Sequence, residues 1–144
     1  MHKFPLFVSL EGRKALVFGG GAVGLRRAGA LAQYGASVTV VTPEPDAALS
    51  LLPVRVEARA YRPGEIRQVF LVVAATDDPA VNAAITREAR RAGALANNAG
   101  DHRDCDFFFP AVVRTEELSI GVTGNGENHE AVLGAAQKIR RMEF

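Results

Sequence analysis

The strongest constraint on this chain is a run of glycines set directly behind a short apolar segment. Lys14-Ala-Leu-Val-Phe18 reads as a buried strand. Gly19-Gly-Gly-Ala-Val-Gly24 follows it with the spacing G-x-G-x-x-G. Residues 22–34 then carry apolar side chains at helical intervals (Val23, Leu25, Ala28, Leu31, Ala32), with Gly35 as the stop. Ser37-Val-Thr-Val-Val41 is the next strand, closed by Thr42-Pro43-Glu44-Pro45. The alternative is a glycine turn that only packs a helix against a strand, but inside a compact strand–helix–strand unit this spacing points to a dinucleotide. Gly19 makes the tight turn, Gly21 lets a pyrophosphate approach the backbone, and Gly24 lets the helix lie close on the strand. The phosphates then meet unsatisfied N–H groups at the helix N-terminus. Roughly 20 residues after such a loop a group for the adenosine ribose is expected, and Glu44 is the carboxylate at that place. No Arg or Lys occurs between Arg27 and Arg55 to meet a 2′-phosphate, which favours NAD over NADP.

Further along, Val54–Ala58 alternates as a more exposed strand, residues 63–69 suggest a short helix, and Phe70–Ala75 is a fully buried strand. Asp77-Asp78-Pro79 supplies a cap and a first-turn proline for a helix over 79–91, ended by Gly93. Ala94–Ala96 begin another strand. Beyond Asn97 the pattern changes: Phe107–Val113 and Leu118–Val122 flank a polar turn, and a last helix runs over 128–142. The expected architecture is α/β, a Rossmann-type doubly wound and mainly parallel sheet with helices on both faces, plus a C-terminal strand pair and terminal helix. No repeat or linker breaks it, so residues 1–144 are read as a single domain, with 107–144 an extension for dimerisation and substrate.

Composition narrows the partners. A hydrophobic fraction of 48% against 23% charged is that of a globular chain with one core. No apolar run approaches the roughly 18 residues a membrane span needs. The start, Met1-His-Lys-Phe-Pro5, lacks a signal-like segment, and a lone Cys105 suits a reducing compartment, so a cytoplasmic protein is expected. A net charge of +1 argues against nucleic acid. The basic groups Arg26/Arg27, Arg87/Arg90/Arg91 and Lys138/Arg140/Arg141 read as solvated helix faces, the alternative being a rim for a polyanion. Asp101, His102, Asp104 and Asp106 form a polar cluster. With one histidine and no fixed spacing, it predicts no metal site.

Four segments together resemble the precorrin-2 dehydrogenases of siroheme biosynthesis, some of which are also sirohydrochlorin ferrochelatases. They are Phe4–Arg13, Val17–Ala28 with its triple glycine and basic helix, Val73–Asn82, and Asn97 through Cys105-Asp-Phe-Phe-Phe-Pro110. The resemblance implies NAD-dependent oxidation of precorrin-2, an anionic tetrapyrrole, to sirohydrochlorin by a homodimer built from the C-terminal part. It implies NAD on Gly19, Gly21, Ala22, Val23 and Gly24, with Thr42, Pro43 and Glu44 at the adenosine edge. Thr76 and Asp77 fall at the carboxyl end of their strand, where ligands collect in open α/β sheets, and Asp77 is also expected to cap the helix. The family's candidate catalytic carboxylate stands ten residues before the Phe-Phe-Phe-Pro proline, a position held here by Gly100. Asp101 is the nearest replacement and His102 the next. Where the family has a glycine pair, a small hydroxyl residue and a proline before the last helix, this chain has Gly124-Asn-Gly-Glu-Asn-His-Glu130. These departures support an alternative reading, a non-catalytic NAD(H)-binding regulatory module that has kept the fold.

Overall fold

Five short strands running in one direction form the framework of the computed structural model, which describes residues 2–144. Met1, the first residue of the stretch read above, lies outside them. In chain order the elements are β1 (Lys14–Phe18), α1 (Ala22–Gln33), β2 (Ser37–Thr42), a 3-10 turn (Ala47–Leu51), β3 (Arg55–Ala58), β4 (Leu71–Ala74), α2 (Pro79–Arg91) and β5 (Leu95–Asn98). The sheet order is β3-β2-β1-β4-β5, every pair parallel. Chain progression therefore reverses between β1 and β4, which is where an open α/β sheet leaves its crevice. The chain divides into two compact units, Val8–Phe107 and Met1–Phe7 with Phe108–Phe144.

In the larger unit the central strands are buried on both faces: Val17, Phe18, Val40, Val72, Val73 and Ala74 are shielded from solvent. The β1–β2 and β4–β5 crossovers run in opposite directions across the sheet, so right-handed connections place α1 and α2 on opposite faces. Helix α1 buries Gly24, Ala28 and Leu31. Helix α2 buries Asn82, Ile85, Thr86 and Ala89 and packs on Phe18, Val41, Val72, Ala74 and Ala96. Its cap is Asp78, which accepts from the N–H groups of Ala80 and Val81, and not Asp77, because Pro79 at the first turn fixes its neighbour at the cap position.

The connection from β3 to β4 holds no helix over 63–69, contrary to expectation. Gly64 at φ 86° and Gln68 at φ 52° break the turn. The segment is instead tied to α2: the Glu88 carboxylate accepts from the N–H of Ile66 at 2.7 Å, the N–H of Gly64 at 3.0 Å and the Tyr61 hydroxyl. Ile66 is driven into the core, and the Tyr61 ring meets Phe18 edge-on at 5.3 Å. The 3-10 turn, absent from the expected elements, is capped by Asp46 through the N–H of Ala48.

The smaller unit pairs β6 (Ala111–Arg114) with β7 (Ser119–Val122) antiparallel and adds α3 (His129–Arg140), capped by Asn128. The three phenylalanines and Pro110 precede β6 rather than extend it. Lys3 donates to the Gly124 carbonyl and lies over the Phe108 ring, and Arg140 donates to the Val112 carbonyl. Among the described residues no helix is long and apolar enough to cross a membrane.

Burial would raise the Glu88 carboxyl, but the bonds from Tyr61, Ile66 and Gly64 outweigh it and hold the group below the usual glutamate range. Its contribution to stability is therefore complete above the unfolded value of about 4.3 and is lost as pH falls through the lower folded value. Glu88→Ala is expected to lower stability by roughly 2–3 kcal/mol at neutral pH. In urea denaturation the gap to wild type should narrow below about pH 4, and a constant gap would mean that the carboxylate charge is not what holds the connection.

Candidate functional site

The carboxyl ends of β1, β2, β4 and β5 meet at one end of the sheet, and the first backbone bonds beyond the strands keep them in step. The N–H of Gly19 donates to Val41, that of Ala75 to Phe18 and that of Ala99 to Ala74. Gly19–Gly24, Thr42–Glu44, Thr76–Asp77 and Gly100–His102 are thus gathered at that end.

Within the loop the glycines have distinct reasons to be glycine. Gly19 sits at φ 110°, and a Cβ there would lie 2.1 Å from the Ala75 carbonyl oxygen. A Cβ on Gly24 would lie 2.0 Å from the Gly19 carbonyl oxygen, so helix and turn touch through backbone alone. A Cβ on Gly20 would lie 2.7 Å from the buried Thr42 side chain, which gives Thr42 a part in shaping the loop. Gly21 differs from all three. Its backbone is extended at φ −73° and ψ −174°, and a Cβ would meet nothing within 4 Å. No internal contact requires glycine there, and the space beside it is open. Gly21 caps α1 without a side chain, no acidic residue lies in the first turn, and Ala22 and Val23 are exposed beside it. The N–H groups of that turn are free for an anion, so the residues present fit a pyrophosphate. Pro43 and Glu44 are exposed just past β2, near the end of the strand where a ribose would lie.

Thr76 is occupied by structure. Its N–H and hydroxyl both donate to Asn82 Oδ1, at 3.0 and 2.7 Å, and Asn82 Nδ2 donates back to the Thr76 carbonyl. Asp77 is exposed beside it. A Cβ at Gly100 would stand 3.5 Å from Asn98 Oδ1 and 3.7 Å from Asn82 Nδ2, an ordinary contact, so a side chain fits there.

The loop after β5 splits into an anchored base and a free tip. Asp104 accepts from Thr86 at 2.6 Å, Asn98 at 3.0 Å and Arg90 at 2.6 Å. Burial works to raise its carboxyl, yet those bonds hold it low. Asp106 accepts from Arg90 and from the N–H of Ala96. Both carboxylates are therefore already engaged by Arg90 and by groups of α2 and β5. Cys105 Sγ accepts from the N–H of Asn98, and burial pushes the thiol up, leaving it protonated. At the tip, Asp101 grips Arg103 through both carboxylate oxygens at 3.0 and 3.1 Å. Arg103 holds the Asp101 carboxyl below its ordinary range. His102 is exposed next to it.

Two arginines depart from the solvated faces expected of them. Arg27 is half-buried and donates to Asn97 Oδ1, while Asn97 Nδ2 donates to the Phe107 carbonyl at 2.8 Å. Arg90 is the clamp on Asp104 and Asp106. Neither these nor the buried Asn82, Asn97 and Asn98 stood out as individual site residues in the sequence. A pair of amides closing an apolar strand was the available signal.

The family model described as "Putative NAD(P)-binding" matches residues 6–111. "Probable multifunctional siroheme biosynthesis protein HemA" of Ruminiclostridium josui is 34% identical over 97% of this chain, which covers 28% of that protein. "Siroheme synthase" of Azotobacter vinelandii is 37% identical over 88% of the chain, again covering 28% of its length. The chain thus spans little more than a quarter of these relatives. Among solved structures, "SirC, precorrin-2 dehydrogenase" superposes with a TM-score of 0.82 at 27% identity, over 95% of this chain and 69% of that one.

The two kinds of loop glycine should separate on substitution. Gly21→Val is expected to keep the fold, with a stability loss of roughly 1 kcal/mol from the poorer cap, while NAD affinity falls more than about tenfold. Gly19→Ala and Gly24→Ala should instead lose thermal stability outright. A folded Gly21→Val protein that binds NAD normally in calorimetry would remove the dinucleotide from this loop.

Proposed function

The chain belongs to the NAD(P)-binding family, and on that premise we propose that it oxidises precorrin-2 to sirohydrochlorin with NAD in siroheme biosynthesis. The observation that carries the reading is Gly21, the one loop glycine whose missing side chain leaves room for a ligand and not for the protein. NAD supplies the hydride acceptor when bound. The chain's own part is to hold and orient. The uncapped first turn of α1 holds the pyrophosphate, Glu44 accepts from the ribose hydroxyls, and Thr76 and Asp77 border the space at the end of β4. Arg103 offers an exposed guanidinium at the tip of the neighbouring loop, which suits a substrate rich in carboxylates.

Removing a hydride leaves a proton to be taken up, and we assign that to Asp101 Oδ2, with His102 beside it. Asp101 is ionised across the neutral range because Arg103 holds its carboxyl low, although a weak base gains less from Brønsted behaviour than one tuned near neutrality. The bare Gly100 position favours the second reading, a binding module without chemistry. Binding of NAD with no turnover of precorrin-2 under anaerobic conditions would establish it.

The smaller unit supports a homodimer. It buries only Val113 and Ala136 fully and leaves Phe4, Leu6, Phe7, Leu133 and Phe144 more than half exposed. A two-stranded ribbon with one helix cannot by itself cover that apolar surface.

Four outcomes are expected. NAD should react at least several-fold better than NADP, since no cation follows β2; equal use of the two would count against the site. Asp101→Asn should lower kcat about 10²-fold or more with NAD affinity unchanged. The wild-type rate should stay level through neutrality and fall only in the acid range, whereas a profile that turns in the imidazole range would move the role to His102. Sedimentation at micromolar concentration should show a dimer, and a monomer would refute the assembly.

A further inference from the structure

The helix missing between β3 and β4 leaves part of one sheet face open. Alternation and register put Lys14, Leu16 and Phe18 of β1, Ser37, Thr39 and Val41 of β2, and Arg55 and Glu57 of β3 on that face. Tyr61 and Ile66 of the connection cover only the carboxyl half, over Phe18 and Val41. The amino half remains as a cleft of about 460 Å³. Leu16 and Val69 give it an apolar floor, Ser37 and Thr39 bring hydroxyls, and Lys14 and Arg55 stand at its sides. No carboxylate lines it. Among the described residues the Lys14 and Arg55 side chains make no ion pair or hydrogen bond. Two strand spacings and a two-residue offset separate their Cα atoms by about 12 Å.

We propose that this cleft is a second ligand site, for a small dianion with a flat apolar body, an aromatic dicarboxylate in chemical class. Its volume falls within the roughly 300–1,000 Å³ of small-molecule pockets. The two unpartnered cations stand far enough apart to take one carboxylate each, and Leu16 and Val69 take the apolar body between them. The site lies at the amino ends of the strands, opposite the glycine loop, so it does not depend on the function proposed above.

Naphthalene-2,6-dicarboxylate titrated into the ¹⁵N-labelled full chain, with and without NAD, tests the site by NMR. Saturable amide shifts are expected to cluster at 14–16, 37–39 and 55, unchanged by NAD. Lys14→Gln and Arg55→Gln should each weaken binding by about threefold to tenfold, as an exposed charge pair allows, and leave NAD affinity as it was. The monoanion 2-naphthoate should bind more weakly than the dianion. Shifts that centre on 19–24, no saturation at low millimolar probe, or equal binding by the Lys14→Gln/Arg55→Gln double variant would each overturn the proposal.

Discussion

Everything at the carboxyl end of the sheet depends on one contact, the backbone of Gly24 against the carbonyl of Gly19. With no Cβ at either residue, α1 starts closer to the sheet than any other residue pair allows, since an added carbon would lie about 2 Å from an oxygen. That closeness aims the first turn of α1 at the crevice where chain progression reverses. The two neighbouring strands join the same arrangement: β2 through the Thr42 side chain against Gly20, β4 through the Ala75 carbonyl under Gly19. The N–H groups of the first turn are thereby held in place, an arrangement that suits an anion without any charged side chain.

A second layer of order is polar. Buried amides and hydroxyls are costly unless bonded, and here each is used to hold a loop. Asn82 holds the end of β4, Asn98 and Thr86 hold the loop after β5 through Asp104, and Asn97 joins Arg27 of α1 to Phe107. Glu88 does the same for the connection on the far side of α2. Helix α2 thus organises the irregular parts of the larger unit with its polar face while it fills the core with Ile85 and Ala89.

The regular elements were legible in the sequence because each is written locally. Short apolar runs marked β1, β2 and β4, and Asp-Pro and Gly93 framed α2 to the residue. The helix expected over 63–69 is absent because the connection is held by one buried plug, Ile66, and by backbone bonds to a carboxylate far away in sequence. Nothing near residue 64 announces Glu88. The steric tasks of Gly19 and Gly24 were legible, since a tight turn and a close helix follow from the spacing. The loop after β5 was not, because Asp101, Asp104 and Asp106 look alike in sequence, and only the fold engages the last two with Arg90 and pairs the first with Arg103.

That division of the β5 loop bears on how such a chain can change over generations. Its anchors, Asn98, Asp104 and Asp106, are fastened to α2 and β5, while the Asp101 and Arg103 side chains between them bond each other. Mutations in the tip meet little resistance from folding, so drift there is filtered by chemistry alone. A glycine can replace a carboxylate at position 100 without loosening the scaffold. The same freedom makes the tip the place where a lineage sharing this architecture can lose, regain or exchange its reaction.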